Sequence, residues 1–265
     1  MKVLELFAGT RSIGKAFEAR GHEVYSVEWD KDFENIDLYA DILTVTAKDI
    51  LDKFGHPDVI WASPDCTTFS IAAISHHRRK NPETGNLDAV SEYAKFCDKV
   101  DQHVLALIKE LNPKFYFIEN PRGGMRKMTW MQGLPRYTVT YCQYGDTRMK
   151  PTDIWTNHPA PKFRPMCHNG DTCHIAAPRG AKTGTQGLKG SKERSVIPKA
   201  LCEHIVDICA EDLGQIMLAN LTPGLEPRDV NMYPSRRYIP GTKSPMRSSN
   251  AGPPTSTGTP RICHA

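Results

Sequence analysis

Lys2-Val3-Leu4-Glu5-Leu6-Phe7-Ala8-Gly9-Thr10-Arg11-Ser12-Ile13-Gly14 passes from an apolar, strand-like run through small residues into a helical pattern, Ser12 to Arg20. A second strand-like run, Glu23 to Val27, and a second helical pattern, near Ala47 to Phe54, follow it. Such alternation reads as a doubly wound parallel sheet, because a parallel neighbour is normally reached through a covering helix. The same pattern continues with a strand over Asp58 to Ala62, a long helix over about Leu87 to Leu111 and a strand over Lys114 to Ile118. In that long helix Val90, Tyr93, Phe96, Cys97, Val100, Val104, Leu107, Ile108 and Leu111 recur at three and four, which predicts a core-facing stripe.

Two of these turns bear on ligand binding. The small residues of Phe7, Ala8, Gly9, Thr10, Arg11 and Ser12 let backbone amides and a helix start come close to a ligand, although a turn with two glycines is also common for structural reasons alone. The second strand ends at Val27-Glu28-Trp29-Asp30, which puts Glu28 where a carboxylate can accept both hydroxyls of a nucleoside ribose; a surface glutamate is the plain alternative. Asp41-Ile42 follows the next extended stretch, where Asp41 is either an adenine ligand or a helix cap.

Trp61-Ala62-Ser63-Pro64-Asp65-Cys66-Thr67-Thr68-Phe69-Ser70 and Phe117-Ile118-Glu119-Asn120-Pro121 each run from a strand into a proline-containing turn. Neighbouring parallel strands would then present the thiol of Cys66 and the carboxyl of Glu119 to one cleft.

The 265 residues carry a net charge of +4, but the charge is unevenly spread. Residues 1–120 have 14 basic and 20 acidic side chains, whereas residues 121–200 have 14 basic and 4 acidic, a net of +10 for that block. A polyanion partner suits such a block, since neutralised phosphates release counterions. No apolar run approaches a membrane span and the first residues lack a signal-peptide pattern, so a cytoplasmic protein is expected, of bacterial or phage-infected host setting, with its eight cysteines reduced. Cys97, Cys202 and Cys209 fall on apolar helix faces and Cys142 in a strand-like context, all predicted as packing residues. Cys167 and Cys173-His174 are potential zinc ligands, but the gap between the cysteines is longer than in common zinc motifs and no second cysteine pair is nearby in sequence; a reduced turn with incidental thiols and no metal is the expectation, with a structural zinc as the alternative.

Along the chain, residues 1–156 and 193–215 are predicted to form one catalytic and cofactor-binding domain, with strands over Arg136 to Tyr141 and Thr152 to Thr156 and a last helix over about Pro198 to Ala210. Residues 157–192 read as a small loop-built lobe, and residues 216–265 as a tail. From Leu221 onward 22 of 45 residues are Pro, Gly, Ser or Thr, without the hydrophobic pattern that offsets ordering entropy. A polar loop, His76-His77-Arg78-Arg79-Lys80-Asn81-Pro82-Glu83-Thr84-Gly85, precedes the long helix.

Taken in order, Phe7-Ala8-Gly9, Glu28, Asp41, Pro64-Asp65-Cys66 with Phe69-Ser70, Glu119-Asn120-Pro121, Gln143 through Lys150, and Ser195-Val196-Ile197-Pro198 resemble the DNA (cytosine-5) methyltransferase family over roughly residues 2–206. The resemblance implies a Rossmann-like S-adenosylmethionine-dependent methyltransferase fold, double-stranded DNA as partner, and a phage or restriction-modification setting with a possible partner endonuclease. It implies that Cys66 adds to C6 of a flipped-out cytosine, that Glu119 supports N3 and that Arg148 holds O2. Phe7, Ala8, Gly9, Thr10, Arg11, Ser12, Glu28, Trp29, Asp41, Ile42, Pro64, Ser195 and Val196 are the implied cofactor contacts. The basic residues Arg78, Arg79, Lys80, Lys150, Arg179, Lys182 and Lys189 are expected on DNA.

The chain departs from the family pattern at three places. Asp65 stands where a proline usually precedes the nucleophile, and a carboxylate beside a thiol raises its pKa unless it pairs with a base; Arg11 or an arginine of the basic lobe is the predicted partner. Lys150 replaces the second arginine of an Arg-x-Arg pattern, and Arg194 replaces an asparagine. A catalytically silent DNA-binding relative and a methyltransferase acting on RNA are therefore the competing readings.

Overall fold

The turn from Phe7 to Ser12 lies at the middle of a seven-stranded sheet. The computed structural model describes residues 1–175 and 191–221. The strands in chain order are β1 (Lys2–Leu6), β2 (Glu23–Glu28), β3 (Leu38–Tyr39), β4 (Val59–Ala62), β5 (Arg78–Lys80), β6 (Leu87–Ala89), β7 (Phe115–Pro121), β8 (Arg136–Thr140) and β9 (Pro151–Thr156). The helices are α1 (Ser12–Glu18), α2 (Ala47–Lys53), α3 (Ile74–His77), α4 (Glu92–Leu111), α5 (Ser191–Ser195) and α6 (Lys199–Leu221). The main sheet has the order β3-β2-β1-β4-β7-β9-β8. β1, β2, β3, β4 and β7 pair in parallel, whereas β9 runs antiparallel to both β7 and β8. This is the doubly wound, Rossmann-like α/β architecture expected from the alternation, with an antiparallel hairpin added at one edge.

Two apolar layers flank the sheet, because successive residues of a buried strand point to opposite faces. Leu4, Leu6, Ile60, Ala62, Ile118 and Trp155 pack on one face with Val104, Leu107, Ile108 and Leu111 of α4. Val3, Val59, Trp61, Phe117 and Ile154 pack on the other with Ile13 and Phe17 of α1 and Leu201, Ile205 and Val206 of α6. Cys97, Cys202 and Cys209 are buried as predicted.

The sequence reading is corrected in two places. The long helix begins at Glu92 rather than Leu87, because Leu87–Ala89 pairs antiparallel with Arg78–Lys80 and Ser91 caps the helix, its Oγ accepting from the Ala94 N–H at 3.1 Å. What reads as a polar loop is thus a short helix and a hairpin. The last helix extends past Ala210 to Leu221, beyond the predicted boundary at residue 215. The rest of the predicted tail, and residues 176–190 of the predicted lobe, lie outside the described residues. Among the described residues no helix is long and apolar enough to cross a membrane.

Candidate active site

The carboxyl ends of β1, β2, β4 and β7 open on one side of the sheet, as parallel pairing requires. β4 and β7 are in register with Ala62 opposite Ile118, so Glu119 stands one residue, and Cys66 four residues, beyond the same rung. Two contacts lock these segments together. Asn120 Nδ2 donates to the carbonyl of Pro64 at 3.0 Å in a buried setting. Gly123 lies so close to the carbonyl of Phe69 that an added Cβ would stand 2.4 Å from that oxygen, which makes a side chain there incompatible with the present packing.

Arg78 buttresses the Cys66 loop from below. Its guanidinium donates to the Thr68 carbonyl at 3.1 Å and to Thr68 Oγ1 at 2.9 Å, pairs with Asp98 at 2.7 Å and lies 4.0 Å from the Phe69 ring centre. Arg78 is 2% exposed, so the expectation that it meets DNA is corrected: a cation buried among these partners has no free donor for a phosphate. Arg79 and Lys80 are exposed on the hairpin, while Arg179, Lys182 and Lys189 lie outside the described residues.

Cys66 is partly exposed, at the start of a 3-10 turn, Thr67–Phe69. Burial and then the carboxylates of Asp65 and Glu119 push its thiol up to about 11, with the Lys150 ammonium acting against them. The Asp65 side chain accepts from the Thr67 N–H at 2.7 Å and Arg11 pairs with Glu18, so the predicted Asp65–Arg11 neutralisation does not occur. Glu119 is buried and accepts from the Tyr141 hydroxyl at 3.1 Å.

The two basic residues of the Arg-x-Lys segment have different partners. Arg148 is held by a fork of bonds to Asp146, Nε lying 2.9 and 3.0 Å from the two carboxylate oxygens, and it reaches the Glu193 carbonyl. Lys150 sits over the Tyr141 ring at 4.5 Å and donates to the Arg194 carbonyl at 3.0 Å. Burial lowers its pKa, and Glu119 and Cys66 are the groups that favour its charge. Lys150 thus lies near enough to Glu119 and Cys66 for their charges to favour its own, while Arg148 is engaged by Asp146.

Beside this constellation a cavity of about 400 Å³ is lined by Phe7, Val27, Glu28, Trp29, Ala40, Asp41, Ile42, Asp65, Tyr93, Phe96, Cys97, Val100 and Asp101. Trp29 is 71% exposed on its wall, costly for an indole unless something stacks there. Glu28 Oε2 accepts from the Gly9 N–H at 2.9 Å and Oε1 from Trp29 and Asp30, so the carboxylate is fixed in place. Asp41 caps the following turn through Oδ1 and remains exposed at the cavity. Asp101 Oδ2 is buried without a hydrogen-bond partner, and burial, reinforced by Asp98, holds its carboxyl well above the usual range. A smaller cleft of about 30 Å³ shares Phe7 and is lined by Glu5, Ala8, Gly9, Thr10, Ser12, Trp61, Ser63, Ser195 and Ile197.

Of the predicted cofactor contacts, Phe7, Glu28, Trp29, Asp41 and Ile42 line the larger space, and Phe7, Ala8, Gly9, Thr10, Ser12 and Ser195 the smaller. Pro64, Arg11 and Val196 line neither; Pro64 serves Asn120 and Arg11 serves Glu18. Sequence reasoning missed Tyr93, Phe96 and Asp101, because a helical stripe facing a cavity has the same period as one facing a core. It also missed Glu5, which is 2% exposed and pushed up to about 7 by burial while accepting from the Gly14 N–H.

A second correction concerns the remaining cysteines. Cys142, on the 3-10 turn Tyr141–Tyr144, lies with its Sγ 3.0 Å from that of Cys167 and 3.6 Å from that of Cys173, and His174 Nδ1 completes the group. These are not incidental thiols on separate segments.

Residues 1–129 match the family model described as C-5 cytosine-specific DNA methylase. A "Probable DNA (cytosine-5)-methyltransferase" of Frog virus 3 (isolate Goorha) is 28% identical over 228 residues, spanning 79% of this chain and 100% of the relative. Among solved structures, the Entamoeba histolytica methyltransferase EhMeth is similar at TM-score 0.44 and 13% identity, over 64% of this chain and 57% of its own. The S. pombe Dnmt2 methyltransferase is similar at TM-score 0.39 and 14% identity, over 59% and 48%. The chain thus spans about half the length of these solved structures.

Proposed function

We propose, from the match of residues 1–129 to the C-5 cytosine-specific DNA methylase model and the likeness to a probable viral DNA (cytosine-5)-methyltransferase, that the chain is a DNA (cytosine-5)-methyltransferase whose nucleophile is Cys66 and whose methyl donor is S-adenosylmethionine. The observation that carries this reading is that Cys66 and Glu119 follow the same rung of adjacent parallel strands, in segments tied together by the bond from Asn120 to Pro64.

The cavity residues fit a nucleoside cofactor. Trp29 offers an aromatic face, Glu28 and Asp41 offer carboxylate acceptors, and the unpartnered Asp101 offers a further polar group. S-adenosylmethionine held there would supply an electrophilic methyl group.

C5 of cytosine is a poor nucleophile, and covalent addition at C6 overcomes this. Cys66 loses its proton, forms the S–C6 bond and pushes an electron pair toward C5; after C5 is methylated, loss of the C5 proton expels the thiolate and restores the ring. Glu119 bonds the ring at N3, dispersing the charge that addition creates, and Tyr141 holds that carboxyl in place. Lys150, rather than the Asp146-bound Arg148, is the cation beside the thiol, and it stabilises both the thiolate and the developing charge at O2. The target base must leave the duplex stack, at a cost of a few kcal/mol. Arg79 and Lys80, exposed on the hairpin, would meet the DNA backbone.

The high pKa of Cys66 favours a second reading, a DNA-binding relative in which Asp65 silences the thiol. DNA carrying 5-fluorocytosine separates the two. Incubated with S-adenosylmethionine, the chain is expected to form a denaturation-resistant adduct through Cys66, absent in Cys66→Ser. Cofactor-dependent DNA binding with no adduct and no labelled methyl transfer would establish the silent relative, and transfer to RNA alone would change the substrate.

A further inference from the structure

We propose that Cys142, Cys167, Cys173 and His174 form a closed four-ligand site for one structural zinc ion. Their ligand atoms all lie within 4.8 Å of one another. The Sγ atoms of Cys142 and Cys173 are 3.6 Å apart, and His174 Nδ1 lies 3.7 Å from Cys167 Sγ and 3.6 Å from Cys173 Sγ. Zinc–sulfur bonds of about 2.3 Å in a tetrahedron imply ligand separations of roughly 3.8 Å, close to these values. Three thiol sulfurs and an imidazole are the soft donor set that selects zinc over calcium or magnesium.

The ligands come from two parts of the chain and are brought together by specific bonds. The Cys167 N–H donates to Thr140 Oγ1 at 3.0 Å, seating the loop after β9 on the end of β8. A tight turn, with the His168 N–H donating to Asp171 Oδ2 at 2.7 Å and Gly170 at φ 96, folds Cys173 and His174 back toward Cys167. Gln143 Nε2 lies 3.5 Å from Cys173 Sγ, where it can donate to a metal-bound thiolate.

The Cys142–Cys167 separation of 3.0 Å exceeds a disulfide bond of about 2.0 Å, and a disulfide would leave Cys173 and His174 unexplained. All four ligands come from protein, which leaves no open position for a substrate and makes the ion structural. Its place gives it a task. Cys142 begins the segment that carries Asp146, Arg148 and Lys150, and the Ile175 N–H, one residue past His174, donates to the Thr147 carbonyl at 2.9 Å. A metal here would pin the loop-built lobe to the strand end from which Lys150 enters the active site.

The test is metal content. The full chain, expressed with zinc and purified under reducing conditions, is expected to carry about one zinc per molecule by mass spectrometry of the elements. Cobalt exchanged into the site should show thiolate charge-transfer and tetrahedral d–d bands. Cys173→Ser and His174→Ala remove the two more exposed ligands and should each lower zinc affinity at least about a hundredfold, as measured against a competing chelator. Where a variant fails to fold, zinc titration of chelator-stripped wild-type chain supplies the same answer. Wild-type protein that neither retains nor binds zinc would overturn the proposal. So would zinc that persists in both variants, or a Cys142–Cys167 disulfide found by alkylation and mass spectrometry of the reduced-handled chain.

Discussion

Cys66 and Cys142 stand in opposite environments. Cys66 faces the carboxylates of Asp65 and Glu119, with Lys150 as the opposing charge, and is held as a thiol that must be activated. Cys142 is packed against two further thiols and an imidazole, an arrangement that a soft cation would organise. The difference teaches how context sets cysteine chemistry: a thiol alone beside acids stays protonated, whereas thiols that converge with an imidazole present several soft donors to one point. The segment from Cys142 to Lys150 joins the two corners.

The largest expected effect tests that link. Lys150→Met removes the cation beside Cys66, so methyl transfer should fall by roughly a hundredfold or more while zinc content stays unchanged. Arg148→Met should instead loosen the loop held by Asp146 and act mainly on substrate affinity; equal losses in kcat from both variants would erase the distinction drawn between them. Next in size, Arg78→Met deprives the half-buried Asp98 of its cation and unseats Thr68, which should cost about 3 kcal/mol in urea denaturation. An unchanged denaturation midpoint would return Arg78 to the DNA surface.

The smallest effect sharpens the description of Cys66 itself. Asp65 raises the thiol's pKa, so Asp65→Asn lowers it and increases the thiolate fraction at any pH below the midpoint. Iodoacetamide labelling of Cys66 at pH 8 should accelerate about three- to tenfold, and its pH profile should move to lower pH. Lys150→Met should move the same profile upward. A profile insensitive to both charges would mean that burial alone sets the thiol.

Much of the catalytic side is local in sequence. Glu28 ends β2, Glu119 lies near the end of β7 and Cys66 follows close after β4, so strand alternation places them toward one end of the sheet without knowledge of packing. Asn120 and Pro64 reinforce that placement. The different partners of Arg148 and Lys150 were illegible, since two residues of like charge two positions apart are separated only by which one Asp146 captures. Tyr93 and Phe96 carried the right period for a core and face a cavity instead, because periodicity reports a buried face but not what lies opposite it.

The order of apolar strands, helical patterns and turn residues by itself determined the doubly wound sheet and the pairing of a thiol with a carboxyl, because both follow from short-range periodicity and from parallel strands ending together. Only the tertiary structure decided that Arg78 is buried, that Lys150 lies over the Tyr141 ring and that Cys142 meets Cys167, Cys173 and His174. Each of those depends on side chains that the folded backbone brings together from distant segments, and a linear spacing carries no record of that distance.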